Sequence, residues 1–144
     1  MTWNSRKDWM AVLAKADPAR LAALMPDLPA HSFLRSPEVG AVMVQARAGG
    51  TGAPFNLGEM TVTRCSVQLT DGPVGHAWVQ GRDARHSTHA AIMDALMHTP
   101  QAAALGSGVL DVLHREAQAA RQARTEKAAA TKVDFFTLVR GEDA

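Results

Sequence analysis

Residues 60–80, MTVTRCSVQLTDGPVGHAWVQ, decide the fold because they predict an antiparallel β-hairpin. The β-branched residues at positions 61–63 favour an extended strand over residues 60–69. Asp71-Gly72 is a dipeptide typical of a tight hairpin turn, and residues 73–80 then return as the second strand. A hairpin at the centre of the chain implies an antiparallel sheet.

The apolar side chains change phase within the first strand of this hairpin. Met60 and Val62 occupy one phase, whereas Cys65 and Val67 occupy the other. Because side chains alternate between the two faces of a strand, one extra residue would restore a continuous apolar face. The pattern therefore predicts a β-bulge near residues 63–64.

A further strand and a glycine-rich connection precede the hairpin. From Gly40 onward, Val42 and Val44 alternate with longer or polar side chains, which is typical of a half-buried strand. Residues 49–59, GGTGAPFNLGE, contain four glycines and are expected to connect this strand to the hairpin as a long loop.

Helical patterns flank the predicted sheet on both sides. Ser5 is expected to cap a helix that ends near residues 17–18, and Asp17 to cap a second helix that ends at Pro26. After the hairpin, Asp83 is expected to cap the clearest helix of the chain. The apolar positions of that helix follow helical spacing: His89, Ile92, Met93, Leu96 and Met97.

A last helix is predicted over residues 109–130, after a break at the Gly-Ser-Gly of residues 106–108. Half of residues 117–130 are alanine, so this helix forms readily but has little side chain to bury on its own domain. The following FFTLVR is the most β-prone and aromatic segment. Its Phe135 and Phe136 are expected to join a sheet edge or to dock on a partner.

These elements predict an α+β fold in a single domain over residues 1–144. The fold has two N-terminal helices, a small antiparallel sheet with a hairpin of residues 60–69 and 73–80, two C-terminal helices and a β-prone C-terminal segment. A chain of 144 residues has the length of one ordinary domain. It also has enough residues for a core without disulfides.

Charge and cysteine content exclude several classes of protein. The formal net charge of +1 removes the usual electrostatic argument for binding nucleic acid or a membrane surface. No apolar stretch approaches the ~20 residues that span a bilayer, and no signal peptide is recognisable, so we expect a cytoplasmic protein. The lone Cys65 excludes an internal disulfide.

The glycine-rich segment is the most unusual candidate for a binding site. Its spacing fits neither the dinucleotide fingerprint nor the phosphate-binding P-loop. It is interpreted either as a long hairpin loop or as a loop that contacts a ligand or partner. Its candidate contact groups include the two flanking arginines: Arg47, Thr51, Asn56, Glu59 and Arg64.

Histidine and cysteine give no self-contained catalytic site. His86 and His89 are spaced i, i+3 on the predicted helix, with His76 on the preceding strand, but the spacing matches no zinc motif. His89 is interpreted as a histidine at the edge of the core. Cys65 is interpreted as an inert buried thiol. We therefore predict no catalytic residue and no metal site, and keep His76 as a ligand or partner contact.

Several motifs together resemble one protein family. They are LRSPEVG at residues 34–40, GGTGAPFNLGEMTVTRC at residues 49–65, GHA at residues 75–77, GRD at residues 81–83 and VDFFTLVRG at residues 133–141. The chain is similar at these motifs to the PhnG subunit of the bacterial phosphonate carbon-phosphorus lyase system. The similarity spans nearly the whole chain.

The resemblance implies an accessory subunit of the lyase core complex, without a cofactor of its own and associated with the family's H, I and J subunits. That complex is expected to attach an alkylphosphonate to C1 of the ATP ribose with loss of adenine, as a ribose 1-methylphosphonate 5-triphosphate synthase. In the family, the I subunit is regarded as the main catalytic component and the J subunit carries the radical iron-sulfur chemistry. A single cysteine cannot hold such a cluster.

Two alternatives remain open at the level of the sequence. In the first, the chain is an accessory subunit without a catalytic site of its own. In the second, the chain itself binds ATP or a phosphonate, with the glycine-rich segment holding phosphate and Arg47 or Arg64 neutralising its charge. In either case the isolated chain is expected to self-associate or to be marginally stable, because its alanine-rich helix and its C-terminal segment lack local partners.

Overall fold

The computed structural model describes residues 2–133, which form an antiparallel sheet with helices packed on one of its faces. The strands are β1 (His31–Arg47), β2 (Pro54–Leu69) and β3 (Val74–Gln80), arranged in the order β1-β2-β3. The helices are α1 (Arg6–Leu13), α2 (Pro18–Leu24), α3 (Ala84–Leu96), α4 (Ala102–Leu105) and α5 (Asp111–Ala130). The α+β prediction is confirmed, and the predicted hairpin lies within β2 and β3.

The glycine-rich segment forms a strand over half of its length. β2 begins at Pro54, so residues 54–59 pair with the end of β1 and the connection shrinks to residues 48–53. Gly49 and Gly50 in this turn have φ values of 59° and 81°, a region that favours glycine. The prediction of a long loop was wrong because cross-strand hydrogen bonding outweighs the low strand propensity of glycine.

β1 and β2 continue beyond the rest of the sheet as a two-stranded ribbon. β3 pairs with β2 only as far as Val62, whereas β1 and β2 remain paired from Ala41 opposite Thr61 to Arg47 opposite Pro54. We call residues 41–61 the β-arm. Its paired strands extend about 20 Å at the usual rise of a β-strand.

The predicted bulge near residues 63–64 was wrong. β2 pairs with β3 without interruption from Val62 to Gln68, and the register shifts lie in the pairing of β1 with β2. The apolar side chains of the two phases simply point to opposite faces of β2. Cys65 and Val67 are buried in the core, whereas Met60 lies in the β-arm.

α3 supplies the centre of the core. The Asp83 carboxylate caps it as predicted, accepting a hydrogen bond from the His86 N–H at 2.8 Å. The apolar positions of the stripe are buried: Ile92, Met93, Leu96 and Met97. α3 lies directly against β3 at Gly75, where an added Cβ would stand 1.9 Å from the Ala91 carbonyl oxygen. The backbones of β3 and α3 therefore pack directly against each other at Gly75.

The N-terminal helices follow the predicted order with one difference in capping. The Asp17 carboxylate accepts a hydrogen bond from the Arg20 N–H at 3.0 Å and caps α2 as expected. Ser5 stands at the N-cap of α1, but its side chain makes no capping hydrogen bond. α1 ends at Leu13, four residues before the expected boundary.

The predicted helix break at residues 106–108 was also wrong. The chain is helical from Ala102 to Ala130, with a wider π-helical turn at Gly106–Leu110 between α4 and α5. Trp3 covers this turn, since a Cβ on Gly106 would lie 3.0 Å from the indole, and the Trp3 Nε1 donates to Asp111 Oδ1 at 2.9 Å. Glycine here makes room for an aromatic ring and leaves the helix intact.

Asp94 is the one fully buried carboxylate among the described residues, and it ties α3 to α1 and β3. Its Oδ1 accepts hydrogen bonds from Trp9 Nε1 at 2.9 Å and from Arg6 Nε at 3.1 Å. Its Oδ2 accepts from the His76 N–H at 2.8 Å and from Arg6 Nη2. The hydrogen bond to Asp94 raises the pKa of Arg6, so the guanidinium keeps its charge beside the carboxylate.

The aromatic segment with Phe135 and Phe136 lies outside the described residues, so its predicted β character and docking role stay predictions. Within residues 2–133, no helix has the length and apolar content needed to cross a membrane.

We expect Asp94→Asn to lower the free energy of unfolding by about 3–5 kcal/mol, the usual cost of breaking a buried charge network. The asparagine side chain has the same shape, but its NH2 group would face N–H donors of Arg6, Trp9 or His76, which donate to the carboxylate oxygens of Asp94. Urea unfolding measures the loss. Asp27→Asn is the matched control, because Asp27 is exposed and should change stability by no more than about 0.5 kcal/mol. Equal losses in the two variants would contradict the role of Asp94.

We expect Gly75→Ala to lower the free energy of unfolding by about 1–3 kcal/mol, because the new methyl group forces α3 away from β3. Gly40→Ala is the control, since nothing lies within 4 Å of a Cβ at that strand position. Thermal unfolding of both variants checks the difference. An unchanged melting temperature for Gly75→Ala would show that α3 does not lie at backbone distance from β3.

Candidate functional site

The face of the sheet that points away from α3 brings polar and aromatic side chains together. Strand pairing sets Arg64 opposite Trp78 and Ser66 opposite His76 on that face. We call these four residues the outer face. Trp78 remains 47% exposed there, although tryptophan usually buries most of its surface.

The arginine of the outer face is held between an aromatic ring and a carboxylate. The Arg64 guanidinium lies 5.6 Å from the centre of the Trp78 ring, within range of a cation–π interaction. The same group pairs with Glu38 at 3.2 Å, and Glu38 also pairs with Arg35 at 3.1 Å. These contacts hold the Arg64 guanidinium between Trp78 and Glu38.

His76 is fixed through both its backbone and its side chain. Its N–H donates to Asp94, while its Nδ1 lies 2.8 Å from Ser66 Oγ. In a catalytic triad, the histidine meets the serine through Nε2 while a carboxylate orients Nδ1. The Ser66-His76 pair has a different geometry, which suits hydrogen bonding to a ligand or partner better than activation of a nucleophile.

The structure brings together two of the residues selected from the sequence and separates the others. Arg64 and His76 are neighbours on the outer face. Arg47 lies at the tip of the β-arm, about 30 Å from Arg64 along β2 at the usual rise per residue, and its Nη1 donates to the Gly52 carbonyl oxygen. Strand alternation also places Arg47 and Arg64 on opposite faces. The two arginines therefore do not converge on one phosphate group.

The remaining candidates among the described residues lie on the β-arm. Thr51 is in its terminal turn, and Asn56 and Glu59 pair with Gln45 and Met43 on the face away from Arg64. Strand alternation spreads the polar groups of the glycine-rich segment along a ribbon, so they do not form a cradle.

The sequence analysis did not select Ser66 and Trp78 of the outer face, nor Glu38, which pairs with Arg64. The alternation of β3 places Trp78 on the same face as His76, so that pattern was sufficient to find it. Alternation along β1 could not predict the face on which Glu38 lies, because two register shifts separate Glu38 from His31 at the start of that strand.

The histidines considered for a metal site are dispersed. His86 is buried, and its Nε2 donates to the Leu13 carbonyl oxygen at 2.8 Å. His89 is half-buried with its Nδ1 2.8 Å from the Arg85 carbonyl oxygen, as expected at the edge of the core. His76 belongs to the opposite side of the sheet. Over residues 2–133, no three His, Cys, Asp or Glu side chains are grouped as metal ligands.

Cys65 is 1% exposed and belongs to the core beneath β2. Burial raises the pKa of its thiol, and a hydrogen bond with Thr88 opposes that rise only in part. The thiolate is the reactive form of cysteine, so this thiol is poorly suited to nucleophilic chemistry near neutral pH. The interpretation of an inert buried thiol agrees with this environment.

Comparison with known proteins agrees with the resemblance seen in the motifs. The family model described as "Phosphonate metabolism protein PhnG" matches residues 4–141. A protein of Rhizobium meliloti (strain 1021), named alpha-D-ribose 1-methylphosphonate 5-triphosphate synthase subunit PhnG, is 43% identical over 145 residues. That similarity covers 96% of this chain and 90% of the relative.

We expect Cys65 to resist a thiol reagent in the folded protein at pH 7 and to react at once in denaturant, because the sulfur is both buried and protonated. Absorbance of the released chromophore measures the rate. The control is the single-cysteine variant Cys65→Ser/Ser32→Cys, whose thiol lies at an exposed strand position. Equally fast reaction of the two folded proteins would contradict the burial of Cys65.

Proposed function

The chain belongs to the PhnG family of phosphonate metabolism proteins, and on that premise we propose that it is an accessory subunit of a ribose 1-methylphosphonate 5-triphosphate synthase. The complete enzyme would transfer an alkylphosphonate to C1 of the ATP ribose and release adenine. This chain would complete the assembly without supplying the reacting groups.

The observation that carries this proposal is the 43% identity to a protein named as a subunit of that synthase. The similarity extends over almost all of both chains, so it includes the sheet, the β-arm and the helices. A name that specifies a subunit points to function within an assembly, and we apply it to this chain on that basis.

The chemistry of the described residues supports an accessory role. Displacement of adenine from C1 needs charge stabilisation and leaving-group assistance from several groups that converge on one point. Here Arg47 and Arg64 are about 30 Å apart by strand rise, and Glu59 points to the face away from Arg64. The outer face offers an aromatic surface and hydrogen-bonding groups, which suit contact with a partner.

The partners we propose are the H, I and J subunits of the carbon-phosphorus lyase core complex, and no cofactor is assigned to this chain. We also place the complex in the cytoplasm, where its co-substrate ATP is available. The segment with Phe135 and Phe136 remains a proposed docking element for these partners.

We expect the purified chain to release no adenine from ATP and methylphosphonate, while the assembly reconstituted with the H, I and J subunits does so. The reason is that residues 2–133, as the structure describes them, bring together no convergent set of catalytic groups. Chromatographic detection of adenine measures both reactions. Omitting this chain from the reconstitution is the control, and it should lower the yield of assembled complex together with its activity.

The opposite result would favour direct participation in the reaction. Turnover by the purified chain that is lost in Glu59→Gln would show that the glycine-rich segment binds and activates substrate. Calorimetric binding of ATP to the isolated chain, weakened in Arg47→Ala, would place a nucleotide site at the tip of the β-arm. Either outcome would overturn the accessory role.

A further inference from the structure

The two faces of the β-arm differ in chemistry. Because side chains alternate along each strand and paired residues share a face, one face carries only apolar side chains and glycine. Its members are Val42, Val44, Ala46, Phe55, Gly58 and Met60. The opposite face mixes Met43 with polar and charged groups: Gln45, Arg47, Asn56, Glu59 and Thr61. We call the first of these the apolar arm face.

The apolar arm face is partly open in the isolated chain. Phe55 is 45% exposed, and Leu57, the extra residue at the register shift, is 65% exposed. The other side chains of this face are half-buried: Val42, Val44, Ala46 and Met60. No strand pairs with the outward edges of the β-arm, because β1 is an edge strand and β3 pairs only from Val62. Only at Thr61, the base of the arm, does the outward edge of β2 accept a backbone hydrogen bond, from the Gly81 N–H at 2.9 Å. Natural edge strands are commonly protected by lysine, and residues 31–69 contain none.

A ribbon of this kind is stabilised when another surface covers it. Two-stranded hairpins are marginally stable in water, and no residue of the β-arm belongs to the hydrophobic core of the described chain. An exposed apolar face on such a ribbon is therefore typical of a segment that is buried in an assembly.

The area of the β-arm favours an enclosing partner over a second copy of the chain. With its terminal turn the arm is about 25 Å long and 10 Å wide, so pairing one flat face with another buries about 250 Å² per chain. A groove that covers one face and both edges buries about 750 Å², close to the ~800 Å² per partner of a stable protein–protein interface.

We infer that the β-arm docks by its apolar face into an apolar groove on another subunit of the synthase, with its polar face toward solvent. The inference rests on the proposed function, which supplies the assembly. The absence of charge from the apolar arm face means that the groove must itself be uncharged, since an unpaired buried charge is costly. The partner is therefore recognised by shape and apolar contact.

The test is co-expression of the full chain with the H, I and J subunits, comparing two neighbouring substitutions. Val44→Glu places a charge on the apolar arm face, whereas Gln45→Glu places the same charge on the opposite face. We expect Val44→Glu to weaken association at least a hundredfold in a titrated pull-down and Gln45→Glu to leave it within threefold. Urea unfolding of both isolated variants should match wild type, because neither residue belongs to the core.

A second variant keeps the test decisive if Val44→Glu disturbs folding. Gly40 and Val62 are paired, so an Asn-Gly turn can join them directly and remove the β-arm while leaving the sheet beneath it. This shortened chain should fold and fail to assemble.

The outcomes separate this inference from the proposed function. If wild type assembles and both the Val44→Glu and the shortened chains assemble equally well, the role of the β-arm is overturned while the proposed function stands. If Val44→Glu abolishes only self-association of the isolated chain, measured by sedimentation, the arm binds a second copy and the inference is wrong. If wild type does not assemble with the H, I and J subunits, both the inference and the proposed function fail.

Discussion

The carboxylate of Asp94 is the interaction on which the arrangement of the elements depends. It is fully buried in α3 and accepts hydrogen bonds from α1 through Arg6 and Trp9, and from β3 through the His76 N–H. A buried carboxylate is tolerated only when its oxygens are satisfied, so all three elements must be in place at once. The same contact fixes the backbone of His76 and so connects the core to the outer face.

Close packing of α3 on the sheet determines which surfaces are left for partners. Gly75 lets the helix backbone reach β3, and α3 then covers one side of the sheet. The other side retains Arg64 and Trp78, and beyond Val62 the ribbon of the β-arm leaves the core altogether. The described residues thus combine a packed core with extended exposed surfaces, which suit contacts within an assembly.

The candidate site was only partly accessible from the sequence. Arg64 and His76 were selected because of their position near the glycine-rich segment and on the returning strand, and strand pairing does bring them together. Arg47 was selected because it flanks the glycine-rich segment, but it lies at the far end of the β-arm. Proximity in sequence cannot show whether two strands open into a loop or continue as a ribbon, and that difference sets the distance between the two arginines.

What the sequence by itself determined is the local order of the elements, the hairpin at Asp71-Gly72, the caps at Asp17 and Asp83, and, through its motifs, the family. These features depend on neighbouring residues and on short periodicities, so they can be read along the chain. Only the tertiary structure decided that residues 54–59 form a strand, that the glycines of residues 106–108 stay helical under Trp3, and that Asp94 joins α1 to β3. Each of these depends on groups far apart in sequence, whose hydrogen bonds and packing outweigh the local preference of glycine for turns and of aspartate for the surface.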